Sequence, residues 1–388
     1  MSITLDRSEG LRSRRGALGA WDRFDIWMVL AAIGLVVYGL LLIYSGSSTM
    51  YDGPALSLNN PVVKQGMFAA IGIVMMLVVS RFDYHYLTHY WWVLYAASIV
   101  SLIGVFFLGH TAFGATRWFE FGPIQLQPSE FAKVAVIVTM AHFFQQWGGN
   151  AKEVRPFLMS LLIVAPVVGL VFIQPDLGTS LIFIAVWLGM VTVAGVSRNH
   201  LIILGALVVA IMPFAWAFLV ADYQVERISV LIDPYEDQDG LGAGFNPIQA
   251  EIAAASGGLL GKGLTQGDQT QLGFLKVPTR DFIFSVLAEE MGFIGAMGLF
   301  ALFILVLMRG IRAAQIAGDS AGQLIAVGIV VMILMQAFIN IAVNLSLFPV
   351  TGLPLPFVSQ GGSSLVSLFV ALGILQSIVM RHRAYRQY

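Results

Sequence analysis

Asp281 opens an apolar stretch, DFIFSVLAEEMGFIGAMGLFALFILVLMR over Asp281–Arg309, where the one long hydrophilic interruption of the chain, residues 221–280, ends. A carboxylate at a membrane surface costs too much free energy to be filler, so it is read as functional by default. The chemistry open to it is catalysis by an interfacial carboxylate. The structural alternative is an N-cap, since an aspartate at a helix start satisfies free backbone N–H groups. The residue pattern alone leaves the two readings equal. Glu289 and Glu290 follow about 12 Å deeper at about 1.5 Å per residue. They are expected to hydrogen-bond inside a helix bundle, with proton relay a second role open to one of them.

Charged residues recur inside another apolar run at Glu130 and Lys133, spaced i, i+3 on one helical face. Mutual neutralisation as a buried ion pair is the structural reading, and shaping of a substrate cavity is the functional one. Asp176 follows Pro175 in QPDLGTS (Gln174–Ser180), where capping of the next helix and contact with a substrate stand equal. Lys262 lies among Gly257, Gly258, Gly261, Gly263 and Gly267. Backbone amides in such a loop can cradle a phosphate, although glycine-rich stretches are more often plain turns. The histidines (His85, His89, His110, His142, His200 and His382) are scattered without metal-ligand spacing. With no cysteine, disulfides, thiolate chemistry and cysteine metal sites are excluded together.

The elements that must position these residues are membrane helices. The chain is 58% hydrophobic and 11% charged, with mean hydropathy +0.82, whereas soluble domains carry about 25% charged residues. Its apolar runs have the length of spanning helices, about 17–25 residues, which excludes an outer-membrane barrel. Ten segments are predicted, at about 26–46, 62–80, 86–109, 129–146, 156–173, 178–195, 200–220, 281–308, 322–345 and 362–380. The expected fold is all-α, a polytopic membrane protein with ten transmembrane helices. No five-plus-five internal repeat is visible, and the net charge of −1 argues against a nucleic-acid partner.

Lys and Arg set the orientation. Arg7, Arg12, Arg14, Arg15, Arg23, Arg81, Lys152, Arg155, Arg198, Arg309, Arg312, Arg381, Arg383 and Arg386 fall on one side, fourteen of the twenty-one. Both termini are therefore expected in the cytoplasm. Residues 1–24 form a cytoplasmic tail, and the run Ile26–Tyr44 reads as a retained anchor rather than a cleaved signal. Residues 25–388 form a single membrane domain whose 221–280 loop, between the seventh and eighth helices, lies outside. Ile248–Ala255 in that loop has the spacing of a short amphipathic helix that could lie along the membrane surface.

Several motifs, in order along the whole chain, resemble one family. They are Arg117–Lys133 (RWFEFGPIQLQPSEFAK), Gln174–Ser180, Tyr223–Ile228, Ser256–Gly263 (SGGLLGKG), Gln269–Gln271, Asp281–Gly292 (DFIFSVLAEEMG) and Pro349–Ser364 (PVTGLPLPFVSQGGSS). The chain resembles the SEDS glycosyltransferases, the shape, elongation, division and sporulation proteins. Thr351, Ser180, the run Gly267–Leu272 and the pair Phe24–Asp25 resemble the elongation branch more than the division branch. Thr279 and Arg280 stand where members often have His and Thr, and Gln360 replaces a common tyrosine.

The resemblance implies polymerisation of lipid II, an undecaprenyl-linked disaccharide pentapeptide, into glycan strands outside the bacterial cytoplasmic membrane. A sugar hydroxyl attacks an anomeric carbon whose leaving group is a lipid pyrophosphate, so a base and a cation are both wanted. Asp281 has the type and depth of the base. Arg117, Arg227, Lys262, Arg280, Asp176, Gln127 and Ser363 are the candidate substrate-binding residues. For Arg117 the guanidinium fork suits phosphate oxygens, against an ion pair with Glu120; Arg280 has the alternative of pairing with the acidic run Glu236–Asp239. Ser363 and Ser364 can also cap the tenth helix. A divalent cation, Mg2+ or Mn2+, between Asp281 and pyrophosphate is compatible with this chemistry, with no ligand set visible for it. The implied partners are a class B penicillin-binding protein, which supplies crosslinking, and other membrane proteins of the elongation complex. A lipid II flippase and a recruiting scaffold are the rival functions.

Overall fold

The computed structural model describes residues 23–48, 51, 53–54, 56–112, 115–122, 124–219, 225, 227, 229–231 and 244–381. In chain order the first half has α1 (Ile26–Ser47), α2 (Pro61–Arg81), α3 (Tyr84–His89), α4 (Trp91–Leu108), β1 (His110–Ala112), β2 (Ala115–Phe121) and β3 (Ile124–Leu126). There follow α5 (Pro128–Trp147), α6 (Val154–Ile173), α7 (Leu177–Val193), α8 (Arg198–Leu219), α9 (Phe245–Ser256) and α10 (Asp268–Gln271). Last come α11 (Ile283–Ile316), α12 (Ser320–Asn344) and α13 (Gly362–Arg381). Leaving out the short α3, α9 and α10, the helices coincide with the ten predicted segments. Among the described residues seven of them, α1, α2, α4, α6, α11, α12 and α13, are long and apolar enough to cross a membrane. This is a multi-pass, all-α membrane protein.

Local chemistry sets the helix starts. Asp25 caps α1 by accepting from the Met28 N–H, Asn60 caps α2 ahead of Pro61, and Asp319 caps α12 through the Gly322 N–H. α13 packs along α2, α11 lies against α1 and α12, and α12 also meets α5 and α7. The buried faces of α12 and α13 fill the centre, while Trp27, Leu30, Val74, Val100, Leu162 and Ile202 present apolar side chains outward. In water such a surface would be untenable; facing lipid it is the expected solvent contact.

Three features differ from the sequence expectation. A small antiparallel sheet, β1-β2-β3, links α4 to α5, with Phe119 opposite Leu126 and Glu120 opposite Gln125. Its strands are too short to register against the helical pattern around them. The segment expected as a surface helix, Ile248–Ala255, is helical within α9, but its Pro247, Ala250 and Ala253 face is buried and α9 packs on α11. Finally, α11 runs on to Ile316 and is broken at Gly292, whose φ of +64° only glycine adopts readily.

The break has a clear partner. Phe293 and Ile294, which in an unbroken helix would donate to Glu289 and Glu290, donate instead to the carbonyls of Gly258 and Leu259. The freed carbonyls of Glu289 and Glu290 accept from the N–H groups of Lys262 and Gly263. The glycine-rich loop is thus inserted into the helix ladder and satisfies both broken ends. A Cβ on Gly261 would sit 2.2 Å from the Glu290 carbonyl oxygen, so the glycines serve this close approach.

Arg81, Lys152, Arg155, Arg198, Arg309, Arg312 and Arg381 gather at the end of the bundle opposite Asp281. There Arg309 pairs with Asp25 at 2.6 Å, and His85 bridges Asp83 (2.7 Å) and Asp319 (3.4 Å). Burial disfavours the charged ring, but its hydrogen bonds to Asp319 and Asp83 outweigh that and raise its pKa to about 9. A raised folded-state pKa contributes stability that is complete below the ordinary value of 6.5 and is lost as pH rises through about 9. Thermal unfolding in detergent is therefore expected to show a fall in Tm between neutral pH and pH about 9 that is smaller in His85→Gln. Parallel pH profiles for the two proteins would contradict this assignment.

Candidate active site

At the Asp281 end, two non-helical segments meet. The turn before α11 is zipped to the loop before α13: Gln360 N–H donates to the Thr279 carbonyl (2.9 Å), Thr279 Oγ1 to Gln360 Oε1 (2.9 Å), and Ser359 Oγ to the Arg280 carbonyl (2.6 Å). Gln65 of α2 donates to the Ser359 carbonyl and accepts from the Gly361 N–H. Between this zipper, the β-sheet and α2 lies a cavity of about 290 Å3.

Its wall carries Asp281, Arg280, Arg117, Arg227, Gln127 and Ser363 together with Lys64, Gln65, Trp118, Gln125, Thr351 and Gln360. Six of the predicted site residues, drawn from four separate parts of the sequence, thus line one space. Four basic side chains (Lys64, Arg117, Arg227 and Arg280) surround a single carboxylate.

Asp281 is not a helix cap. α11 begins at Ile283, its N-cap position is Phe282, and no side chain caps it. The Asp281 carboxyl makes no hydrogen bond among the described residues, whereas its backbone carbonyl accepts from Asn340 Nδ2 (3.1 Å) and Asn344 Nδ2 (2.8 Å). Burial pushes the carboxyl pKa up from its ordinary value, and Asp176 adds to the rise; Arg280, Arg227 and Arg117 pull it down.

The cations divide into two kinds. Arg117 is tethered, its guanidinium donating to the carbonyls of Gln174 (2.9 Å) and Pro175 and lying 3.8 Å from Asp176. Arg227 donates to the Val350 carbonyl at 2.8 Å. Lys64 and Arg280 make no side-chain hydrogen bond among the described residues, and they face a shared space. The acidic run Glu236–Asp239, the alternative partner for Arg280, lies outside the described residues.

Three predicted residues or pairs lie outside the cavity wall. Asp176 caps α7 through the Thr179 N–H (3.1 Å) and also holds Thr179 Oγ1, Gln127 Nε2 and Arg117, so it braces the wall from behind. Lys262 pairs with Glu289 and Asp268, each at 3.0 Å, and two of its loop's amides, those of Lys262 and Gly263, are spent on the α11 break. Glu289 also accepts from the Gln269 and Thr270 N–H groups, which accounts for its burial as a structural anchor. Glu130 and Lys133, each 1% exposed, are 2.9 Å apart; Lys133 donates on to Gln336 Oε1, and Gln336 donates to the Pro354 carbonyl in the cavity wall.

Ser363 bridges strand and helix, donating to the Gln125 carbonyl and accepting from the Gln127 N–H. Sequence reasoning missed Lys64, Gln65, Trp118, Gln125, Asn340 and Asn344. Lys64 carried a usable signal, a lone charge one turn into an apolar run. So did Asn340 and Asn344, two carboxamides at i, i+4 in another. Thr351 Oγ1 in the same wall is buried with no hydrogen-bond partner among the described residues.

Residues 26–384 match the model of the FtsW/RodA/SpoVE family, described as cell cycle proteins. The chain belongs to this family. Among FtsW/RodA/SpoVE relatives, the peptidoglycan glycosyltransferase MrdB of Escherichia coli K12 is 38% identical over 360 residues, 92% of this chain and 94% of MrdB. Stage V sporulation protein E of Bacillus subtilis is 36% identical over 91% of this chain and 96% of its own. The probable peptidoglycan glycosyltransferase FtsW of Geobacter metallireducens is 35% identical over 93% and 96%. The rod shape determining protein RodA of Thermus thermophilus superposes with TM-score 0.67 at 28% identity, over 94% of this chain and 98% of RodA. A chain solved within a peptidoglycan synthase complex that coordinates polymerization and crosslinking gives TM-score 0.77 at 29% identity, over 94% and 99%.

In this FtsW/RodA/SpoVE protein the Glu130–Lys133 pair is linked through Gln336 to the Pro354 carbonyl of the cavity wall. Lys133→Met leaves Glu130 buried and unpaired, an expected loss of about 3–5 kcal/mol. The double variant Glu130→Gln with Lys133→Met is expected to recover most of that loss in thermal unfolding. A double variant no more stable than Lys133→Met would contradict the account.

Proposed function

We propose that this chain is a peptidoglycan glycosyltransferase that polymerises lipid II into glycan strands during cell-wall elongation. The observation that carries the reading is the cavity itself: one carboxylate, free of hydrogen bonds among the described residues, ringed by four basic side chains. The names of the curated relatives, MrdB and FtsW, support the same activity. The rod shape determining protein RodA of Thermus among the solved neighbours favours the elongation role over division.

In this reading Asp281 takes the proton from the acceptor sugar hydroxyl as its oxygen bonds to the anomeric carbon of the donor. The anomeric C–O bond to the lipid pyrophosphate breaks, and the negative charge that develops there is met by Lys64, Arg280, Arg117 and Arg227. One displacement inverts the anomeric centre. The untethered pair Lys64 and Arg280 is suited to follow the leaving group, and the tethered pair holds a fixed field. Gln127, Gln125 and Ser363 offer hydrogen bonds to the saccharide. Lys262 and Asp176 act by holding the surrounding frame.

A resident divalent cation does not fit this donor set. Among the described residues no three His, Asp, Glu or Cys side chains converge, and Asp281 stands alone among cations. The four basic side chains supply the neutralisation that Mg2+ or Mn2+ would bring, and no step here runs through a metal.

The wider setting follows the same reasoning. The basic end of the bundle lies in the cytoplasm with both termini, which puts the 221–280 segment and the cavity at the outer face of the bacterial cytoplasmic membrane. Ten spans make the single membrane domain 25–388, preceded by the tail 1–24. A class B penicillin-binding protein and other elongation-complex proteins are its partners, in line with the synthase-complex neighbour. The buried charges Glu130 and Lys133 are paired with each other and with Gln336, which supports a structural role for them rather than a flippase path.

Purified protein in nanodiscs, with its transpeptidase partner and lipid II, is expected to form glycan strands, and Asp281→Asn to lose the activity by at least about 100-fold while folding normally. Equal polymer from both would demote Asp281. Because burial raises the Asp281 pKa while Arg280 lowers it, the acid limb of the rate profile is expected above the usual aspartate range. In Arg280→Gln that limb moves to higher pH. An unmoved or lowered limb would contradict the electrostatic assignment.

A further inference from the structure

Asp281 is aimed through its backbone. Its carboxyl has no hydrogen bond among the described residues, so nothing in the side chain fixes its direction, whereas its carbonyl is held by two carboxamides of α12. Asn340 and Asn344 are one helical turn apart, on one face, and both are buried. Each has a second task. Asn340 Nδ2 donates to the Leu353 carbonyl (2.7 Å), in the neighbouring loop whose Thr351, Gly352 and Pro354 also line the cavity. Asn344 Oδ1 accepts from the Ser285 N–H and Oγ, both at 2.9 Å, and so fixes the first turn of α11.

The carbonyl of a turn enclosed by helices needs such partners, because an unpaired one is costly away from water. A leucine could not supply them. A single side-chain donor would satisfy the carbonyl; two donors from a rigid helix also fix the turn in register with the loop beside it.

We propose that Asn340 and Asn344 are positioning residues for glycosyl transfer: they fix the Asp281 turn, and with it the carboxylate, against the neighbouring loop that lines the same cavity. The proposal rests on Asp281 being the base. Neither asparagine lines the cavity, so neither touches substrate, and loss of the donors should act on the chemical step rather than on substrate binding.

The test is steady-state polymerisation of lipid II in nanodiscs, with thermal unfolding, for wild type, Asn344→Leu, Ser285→Ala and Asp281→Asn. Asn344→Leu is expected to lower kcat about 10- to 100-fold with KM within about twofold, as displacement of a base by about 1 Å would do. Ser285→Ala removes a bond from the same carboxamide but leaves both donors on Asp281, and is expected within about threefold of wild type. A kcat for Asn344→Leu near that of wild type overturns the proposal. So does an equal fall in Ser285→Ala, which would mark a general loss of packing. Should Asn344→Leu not fold, Asn340→Leu, which likewise leaves one donor on the Asp281 carbonyl, is expected to lose about tenfold in kcat, and parity with wild type overturns the proposal. Full activity in Asp281→Asn is a separate outcome, which overturns the base assignment itself.

Discussion

Irregular backbone enclosed by membrane helices must find its hydrogen bonds inside the protein, and this constraint organises the molecule. The turn before α11 and the loop before α13 line the cavity, and each satisfies only part of its own peptide groups. Side chains on the neighbouring helices do so: Gln65 on the Ser359 carbonyl, Gln336 on the Pro354 carbonyl, Asn340 on Leu353 and Asp281, and Asn344 on Asp281. The break at Gly292 is solved in the same way, with the glycine-rich loop taking over two broken rungs of the helix. Polar residues inside apolar spans are therefore mostly committed to backbone. Against that background the Asp281 carboxyl, Lys64 and Arg280 are informative because their side chains make no hydrogen bond among the described residues.

Electrostatics then separates frame from chemistry. Asp176 spends its oxygens on the α7 cap, Thr179 and Gln127, and Glu289 spends its own on Lys262 and two backbone amides. Asp281 has no such employment, yet it is drawn toward ionisation by three arginines while burial resists. That balance suits a base that must be deprotonated to act and still hold a proton once it has taken one. Tethering Arg117 and Arg227 to carbonyls keeps two of the four positive charges in place before substrate arrives, which is the condition for preorganised stabilisation of a leaving pyrophosphate.

Much of this was legible in the sequence because membrane helices announce themselves by length and hydropathy, and because a carboxylate at an interface stands out. The ten helices and the gathering of Arg117, Gln127, Arg227, Arg280, Asp281 and Ser363 follow from those signals and from the family motifs. The β-sheet did not, since three short strands between helices leave no periodicity. The glycine-flanked Lys262 leaves a phosphate cradle and a plain turn both open, whereas the close contact its glycines make with residues about thirty positions later is one that spacing cannot reveal. Asn340 and Asn344 were passed over for a similar reason. Their partner is a backbone carbonyl, and backbone leaves no trace in residue type.

The most direct measurement is a structure of Asp281→Asn in lipid, trapped with a lipid-pyrophosphate donor and a saccharide acceptor. The account predicts pyrophosphate oxygens in contact with Lys64 and Arg280, and the acceptor hydroxyl about 3 Å from the side chain at position 281. A pyrophosphate seated at Lys262 and the glycine-rich loop, with the cavity beside Asp281 vacant, would contradict it.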